Sequence, residues 1–154
     1  MSRNAVRRAR AGDARAIHAL EEHFPSDRMS LRSVRSFLRS PRAAVWVADG
    51  AGGALHACLI VLTRKNSRAA RIYSVVVDPA ARGRGLGARL VHTAQDWAGR
   101  RGCAQIYLEV RQDNAAARAL YHKLGYVEAQ TLPGFYDDGA DGLRLARLLR
   151  RARV

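Results

Sequence analysis

The sequence predicts one mixed α+β domain, and three observations carry that prediction. At 154 residues the chain has the length of a single domain. Its composition, 48% apolar and 26% charged, is that of a globular chain able to bury a core without metals or disulfides. Its hydropathy pattern also changes along the chain: short strand-like runs joined by turns before Val77, strand–helix–strand alternation after it. The resulting order is β-α-α-β-β-β-α-β-α-β-β, seven strands and four helices, antiparallel in the first half. A doubly wound sheet, which alternates throughout, does not fit that order.

The elements follow from local signals. After the opening strand and Gly12, Asp13 is placed to cap a helix with Ile17, Leu20 and Phe24 on one face. Phe24-Pro25-Ser26-Asp27 breaks it, and Ser30 caps a second helix carrying Leu31, Val34 and Leu38 inward. Ala44–Ala48 is a short strand closed by the turn cluster 49–53, Leu55–Thr63 a longer one, and Arg71–Val77 a third after a polar turn. Asp78-Pro79 stops that strand, and Arg82–Gly87 forms a glycine-rich loop. The next helix turns Leu86, Leu90, Val91, Ala94 and Trp97 inward and ends near Arg101-Gly102. Ile106–Val110 is a strand. Asp113 or Asn114 then caps a helix with Leu120 and Leu124 inward and Gly125 just past its end. Two last strands, Tyr126–Gln130 and Leu143–Leu148, flank a loop holding Pro133, Gly134 and Gly139.

Charge and cysteines narrow the function classes. Twenty-seven basic residues against 13 acidic ones leave a formal charge of +14, which draws a protein toward nucleic acid, ribosomes, anionic membranes or phosphorylated cofactors. Twenty-five of the basic residues are arginine, a bias that a GC-rich genome also produces. Cys58 and Cys103 form no C-x-x-C pair and read as buried thiols of a reduced compartment. The longest apolar run, Ala57–Leu62, is too short to span a bilayer, and no signal peptide is visible behind Met1. A cytoplasmic protein that does not enter membranes is expected. The five histidines show no metal-ligand spacing, so no metal is expected. Oligomeric state is left open.

The strongest local signal is the stretch Tyr73 to Ala88. A strand feeds a turn with three glycines in five residues (Gly83, Gly85, Gly87), and the turn opens a helix. Glycines let consecutive N–H groups converge, the helix N-terminus adds about half a positive charge, and Arg82, Arg84 and Arg89 add full ones. The ligand this suits is a pyrophosphate. Gly83-x-Gly85-x-x-Ala88 also meets a relaxed dinucleotide fingerprint, with Glu109 lying 21 residues beyond Ala88. That match is awkward, because the residues from Asp78 to Arg82, a proline included, separate the strand from the first glycine.

The spacing Arg82-x-x-Gly85-x-Gly87 resembles the Gln/Arg-x-x-Gly-x-Gly/Ala motif of the GNAT N-acetyltransferase superfamily, and the resemblance extends to the element order of nearly the whole chain. Leu108–Ala117, Leu120-Tyr121-x-x-Leu124-Gly125-Tyr126 and Phe135–Arg144 are similar to the bacterial ribosomal-protein N-terminal acetyltransferases, the RimI-like branch. The resemblance implies a mostly antiparallel central sheet splayed between its fourth and fifth strands and flanked by four helices. It implies acetyl-CoA as co-substrate, with the backbone of Val75, Val76 and Val77 along the pantetheine arm. Arg82, Gly83, Arg84, Gly85, Leu86, Gly87 and Ala88 would cradle the pyrophosphate, and Asn114 would bond the cofactor arm. Asn114 is equally an ordinary N-cap.

Glu109 is the expected catalytic base, directly or through water. It is a lone acid in an apolar strand of a chain with only four glutamates, and alternation sets it on the face opposite Ile106, Leu108 and Val110. Its structural alternative is a partner for an arginine. An α-amine costs only about 1 kcal/mol to deprotonate at pH 7, a lysine roughly 4.6, so one carboxylate on an exposed cleft suffices for the first. Tyr121 would reprotonate the leaving thiolate; it is otherwise a core tyrosine. Where histone-acetylating members of the superfamily carry a glutamate base, this chain has Arg71, which favours the Glu109 scheme. Asp137 and Asp138, with Asp141, form a solvated turn or an acidic lip that draws an ammonium, and Tyr136 would close over the substrate. The expected acceptor is a protein N-terminal α-amine, such as that of a ribosomal protein. A small-molecule amine is the alternative. In another class, a basic module binding RNA without catalysis, or weak electrostatic contact with RNA or the ribosome, fits the charge but lacks interleaved aromatics.

Overall fold

The computed structural model describes residues 5–24 and 29–149. The expected helix break at Pro25–Asp27 lies outside the described residues. The elements are β1 (Val6–Arg8), α1 (Ala14–Glu21), α2 (Leu31–Arg39), β2 (Ala43–Asp49), β3 (Leu55–Leu62), β4 (Ala69–Val77), α3 (Leu86–Arg100), β5 (Gln105–Arg111), α4 (Ala115–Lys123), β6 (Val127–Leu132) and β7 (Gly142–Leu148). They form one seven-stranded sheet in the order β1-β2-β3-β4-β5-β7-β6, antiparallel except for the β4–β5 pair. The expected mixed α+β architecture, with seven strands and four helices, is the observed one. None of the described helices is long and apolar enough to cross a membrane.

Period-2 alternation divides the strands between two cores. Val45, Val47, Cys58, Ile60 and Val76 pack beneath α1 and α2 with Ile17, Leu20 and Val34. Ala44, Ala48, Leu59, Val61 and Ile72 face the other way, in one cluster with Leu86, Leu90, Val91 and Ala94 of α3 and Tyr121 of α4. Ile17, Leu59 and Leu90 have no exposed surface, each burial contributing roughly 1.5–3 kcal/mol.

The helix ends show where local signals held. Ser30 accepts from the Ser33 amide at 3.1 Å, the expected cap of α2. Gly125, at φ +92°, closes α4: its amide bonds His122 O at 3.0 Å and that of Tyr126 bonds Tyr121 O at 2.9 Å, a paired C-terminal motif. Two expectations are corrected. Asp13 does not cap α1 with its side chain. Its carboxylate turns back to the Arg10 amide at 2.7 Å and to the Arg7 guanidinium at 2.9 Å, and that charged donor is a stronger partner than a helix amide. Leu120 does not face inward either: it is 39% exposed, and the neighbouring Tyr121 is buried in its place, edge-on to Tyr126 at 5.6 Å.

Candidate active site

The site begins with a defect in the sheet. β4 and β5 pair over three residues, Ala69–Arg71 with Gln105–Tyr107, and then part. Beyond that point β4 stays with β3 and β5 with β7. Ile60 opposes Ser74 while the next residue, Val61, opposes Ile72, so Tyr73 is the extra residue of a bulge. A bulge bends its strand and increases its twist, and here it turns β4 away from β5. Val75, Val76 and Val77 therefore bond β3 on one side and have no strand on the other. This is the expected splay. Val76 points into the α1–α2 core, so the open resource at these positions is the backbone.

The helices that follow the two parted strands both start at the mouth of the gap. Asp78 caps a single turn over Pro79–Ala81, its Oδ1 accepting from the Ala80 amide at 2.8 Å. Gly83 and Gly85 then take left-handed backbone, φ +82° and +74°, where a side chain would strain the chain. A Cβ at either would meet nothing within 4 Å, so the space above the loop is open. The Gly85 carbonyl accepts from the Arg89 amide at 3.1 Å, while the amides of Leu86, Gly87 and Ala88 have no helical carbonyl ahead of them. Free amides, a positive helix end and the exposed Arg82 and Arg84 gather in one cradle, which fits a diphosphate. Leu86 is buried, so its contribution is its amide rather than its side chain. Across the mouth, Asn114 caps α4, its Oδ1 accepting from the Ala117 amide at 3.1 Å, which leaves the side-chain NH2 as a donor.

Glu109 and Tyr121 lie on opposite faces of the sheet. Leu108 and Val110 are in the same apolar cluster as Tyr121, so Glu109 between them points to the α1–α2 face. Groups on two faces can meet one reacting centre only where the sheet is open. Glu109 does not stand on an exposed cleft: its side chain is 5% exposed, with Oε1 2.5 Å from Arg71 Nη2 and Oε2 3.4 Å from Arg144 Nε. Both ion pairs follow from the register: Glu109 opposes Arg144 directly across β5–β7, and Arg71 pairs with Tyr107, two residues before Glu109, at the last rung of β4–β5. The arginines are in turn steadied by rings, Arg71 over Tyr73 at 5.6 Å and Arg144 over Tyr107 at 5.0 Å, with Phe37 of α2 against Tyr73. Arg144 as a partner was missed in the sequence, although Leu143-Arg144-Leu145 alternates as Leu108-Glu109-Val110 does. The Tyr121 hydroxyl forms no hydrogen bond among the described residues, and burial pushes its pKa up to about 12.

The loop between β6 and β7 folds back over the end of β7. Asp138 pairs with Arg111 at 2.7 Å and accepts from the Ala140 amide, and the guanidinium holds its carboxyl below the usual range. Asp141 accepts from the Gly134 amide at 2.8 Å. Of the three acids, Asp138 and Asp141 thus build the loop, while Asp137 is exposed and makes no bond among the described residues. Tyr136 lies under Arg111 at 5.0 Å. Gly142 sits tightly under that fold: a Cβ there would stand 3.2 Å from Phe135 Cβ and 3.3 Å from the Tyr136 ring, a closeness invisible in the sequence. Cys58 is buried and its thiol is pushed up, first by burial and then by Glu21 and Asp13, which makes it a poor nucleophile. A surface groove of about 440 Å³ beside β6, lined by Arg118, His122, Val127 and Glu128 among others, contains none of the expected site residues.

Comparison with known proteins agrees with this geometry. The sequence profile of the acetyltransferase (GNAT) family matches residues 10–126. The ribosomal protein bS18-alanine N-acetyltransferase of Escherichia coli is 42% identical over 67 residues, 44% of this chain and 45% of its own length. The mycothiol acetyltransferase of Amycolatopsis mediterranei is 47% identical over 64 residues, 42% of this chain and 21% of its own. The crystal structure of the ribosomal-protein-S18-alanine N-acetyltransferase from Escherichia coli superimposes with a TM-score of 0.84 at 28% identity, covering 97% of this chain and 96% of that one. Matched segments span 21% to 49% of the first curated relatives' lengths, half or less in every case.

Proposed function

The chain belongs to the acetyltransferase (GNAT) family, and from that premise we propose that it transfers acetyl from acetyl-CoA to a primary amine, the α-amine of a protein N-terminus. The observation that carries this reading is the β4–β5 gap, with a diphosphate cradle at its mouth and Glu109 and Tyr121 on its two faces. Arg82 to Ala88 hold the pyrophosphate through amides and guanidinium groups. The backbone of Val75 to Val77 bonds the amide-bearing arm, and the Asn114 side-chain NH2 donates to it. Acetyl-CoA supplies the acyl group as a thioester, whose C–S bond breaks as the amine nitrogen attacks. The transfer is direct: Cys58 is a buried, poorly ionised thiol.

Glu109 receives the amine proton through a water molecule. Its side chain is too enclosed for direct contact, yet a carboxylate with one arginine on each oxygen keeps lone pairs for a water. Tyr121 donates to the developing thiolate. A peptide α-amine is the acceptor such a base serves, since deprotonation at pH 7 costs it about 1 kcal/mol against roughly 4.6 for lysine. Similarity to the bS18-alanine N-acetyltransferase supports a protein N-terminus, a ribosomal protein included. Similarity to the mycothiol acetyltransferase favours a small-molecule amine as second reading, and the loop from Pro133 to Asp141 lies beyond the matched family region.

The test is a thiol-release assay with acetyl-CoA and three acceptor classes, with products identified by mass spectrometry. The acceptors are a peptide with a free N-terminal alanine, the same peptide blocked at its N-terminus but carrying lysine, and a panel of small primary amines. Acetylation of the free N-terminus alone supports the proposal. Turnover confined to small amines selects the second reading, and no turnover with any acceptor refutes the proposed activity.

A further inference from the structure

The end of the sheet opposite the gap carries an unbalanced positive charge. β2 and β3 are antiparallel, as are β3 and β4, while β4 and β5 are parallel. The start of β2, the end of β3 and the starts of β4 and β5 therefore share one end. Arg42 precedes β2, Arg64 and Lys65 follow β3, Arg68 precedes β4, and Arg101 stands between α3 and β5. Arg39 joins them from the last turn of α2. The segments are tied together: Thr63 N bonds Arg42 O at 2.7 Å, Ala104 N bonds Arg68 O at 2.7 Å, and Arg101 Nη2 bonds Pro41 O at 3.2 Å.

All six side chains are exposed, and none is in an ion pair among the described residues. The carboxylates carried by the same strands are elsewhere: Asp49 at the far end of β2, Asp78 beyond the far end of β4, and Glu109 in the far half of β5, where it is paired with Arg71 and Arg144. The C-termini of α2 and α3 also lie at this end, but each brings only about half a negative charge, so the face keeps most of its excess. Four adjacent strand ends span about 14 Å, wide enough to follow several phosphates of one strand. Arg101 lies over the Trp97 ring at 4.7 Å, which sets an aromatic plane beside the charges. Of the exposed large apolar side chains, Leu148 of β7 and Val127 of β6 lie at this end, beside the four basic strand ends and not among them, whereas Tyr73 and Phe135 are elsewhere. Apolar side chains at the flank only, with none of the exposed large ones on the ends of β2 to β5, suit a phosphodiester backbone better than a bilayer.

We propose that this arginine-rich end of the sheet is an RNA-docking surface, used while the acyl-transfer gap at the opposite end remains open. Its contacts are to phosphates, so binding is sequence-tolerant and steeply salt-dependent.

The test is fluorescence anisotropy with a labelled, unstructured 20-nucleotide RNA across a salt series, using the full chain. It compares R42Q/R64Q/R68Q with a charge-matched control, R15Q/R32Q/R35Q, on exposed positions of α1 and the first turns of α2. Each phosphate contact contributes about 0.7 to the slope of log affinity against log salt. The patch variant is expected to lower that slope by about 2 and to weaken binding more than tenfold at low salt, with the control near wild type. Unchanged melting temperature and an unchanged acetyl-CoA-dependent thermal shift show that the fold and the gap survive. No RNA binding by the wild type, equal losses in both variants, or patch-dependent binding to phosphatidylserine vesicles or polyglutamate but not to RNA would each overturn the proposal.

Discussion

Tyr121→Phe removes one oxygen from the candidate site and little else, because the ring stays buried edge-on to Tyr126 at 5.6 Å. The phenol is pushed up to about 12 by burial, whereas a free thiol titrates near 8.5. Complete proton transfer from Tyr121 to a thiolate is therefore uphill by about 3.5 pKa units, or about 5 kcal/mol. Donation of a hydrogen bond to the developing charge has no such cost, and is worth about 1.5–3 kcal/mol when the acceptor is charged. On the proposed mechanism, Y121F lowers kcat roughly 10- to 150-fold and leaves KM for acetyl-CoA nearly unchanged. Its melting temperature stays within about 3 °C of wild type, the shift expected for a change well under 1 kcal/mol. Steady-state thiol release across pH, with a melting curve for each protein, gives both readouts. A kcat within twofold of wild type would reduce Tyr121 to a core residue. A loss of four orders of magnitude would mean that the tyrosine transfers its proton outright, and the hydrogen-bond account would fail.

Other perturbations separate the remaining roles. Glu109→Gln leaves Arg71 and Arg144 without their shared carboxylate, so kcat/KM for the amine should fall at least 100-fold while the acetyl-CoA-dependent thermal shift persists; loss of that shift would mark Glu109 as purely structural. Gly85→Val forces a β-branched side chain into left-handed backbone, at about 1–2 kcal/mol, and should weaken acetyl-CoA binding with little effect on the fold; unaltered calorimetric affinity would contradict the cradle. Arg7 holds the carboxyls of Asp13 and Asp49 below their usual values, chiefly by side-chain hydrogen bonds. Unfolded, those acids take up protons near pH 3.9, so the stabilisation is present above that value and lost as pH falls through the folded values. Arg7→Gln should thus flatten the fall of melting temperature below about pH 4 and lower it at neutral pH; parallel curves for variant and wild type would refute the clamp.

The elements were legible in the sequence because each carries its own local signal: strand runs bounded by turns, caps at Ser30 and Asn114, a glycine past α4. The glycine loop from Arg82 to Ala88 was legible for the same reason, being contiguous in the chain. What sequence reasoning lost were choices decided by distant partners. Leu120 and Tyr121 are one position apart, and helical spacing suits either facing inward; the ring of Tyr126 beyond the helix end decides for Tyr121. Asp13 looked like a cap until Arg7 competed for its carboxylate. The enclosure of Glu109 depends on β7 lying between β5 and β6, a non-sequential neighbour, and the gap beside it on a bulge at Tyr73 that no residue preference announces. Gly142 likewise is crowded by residues six and seven positions earlier, not constrained by its own backbone.

Isothermal titration of the purified protein with acetyl-CoA, with NAD as the parallel titrant, measures whether the gap binds acetyl-CoA. Saturable binding of one acetyl-CoA per chain, and none of NAD, is expected. At about 100 times its dissociation constant the ligand should add roughly 2.7 kcal/mol to stability, several degrees in a parallel melt. No heat with millimolar acetyl-CoA would contradict the account, and saturable binding of NAD alone would assign the glycine loop to a dinucleotide instead.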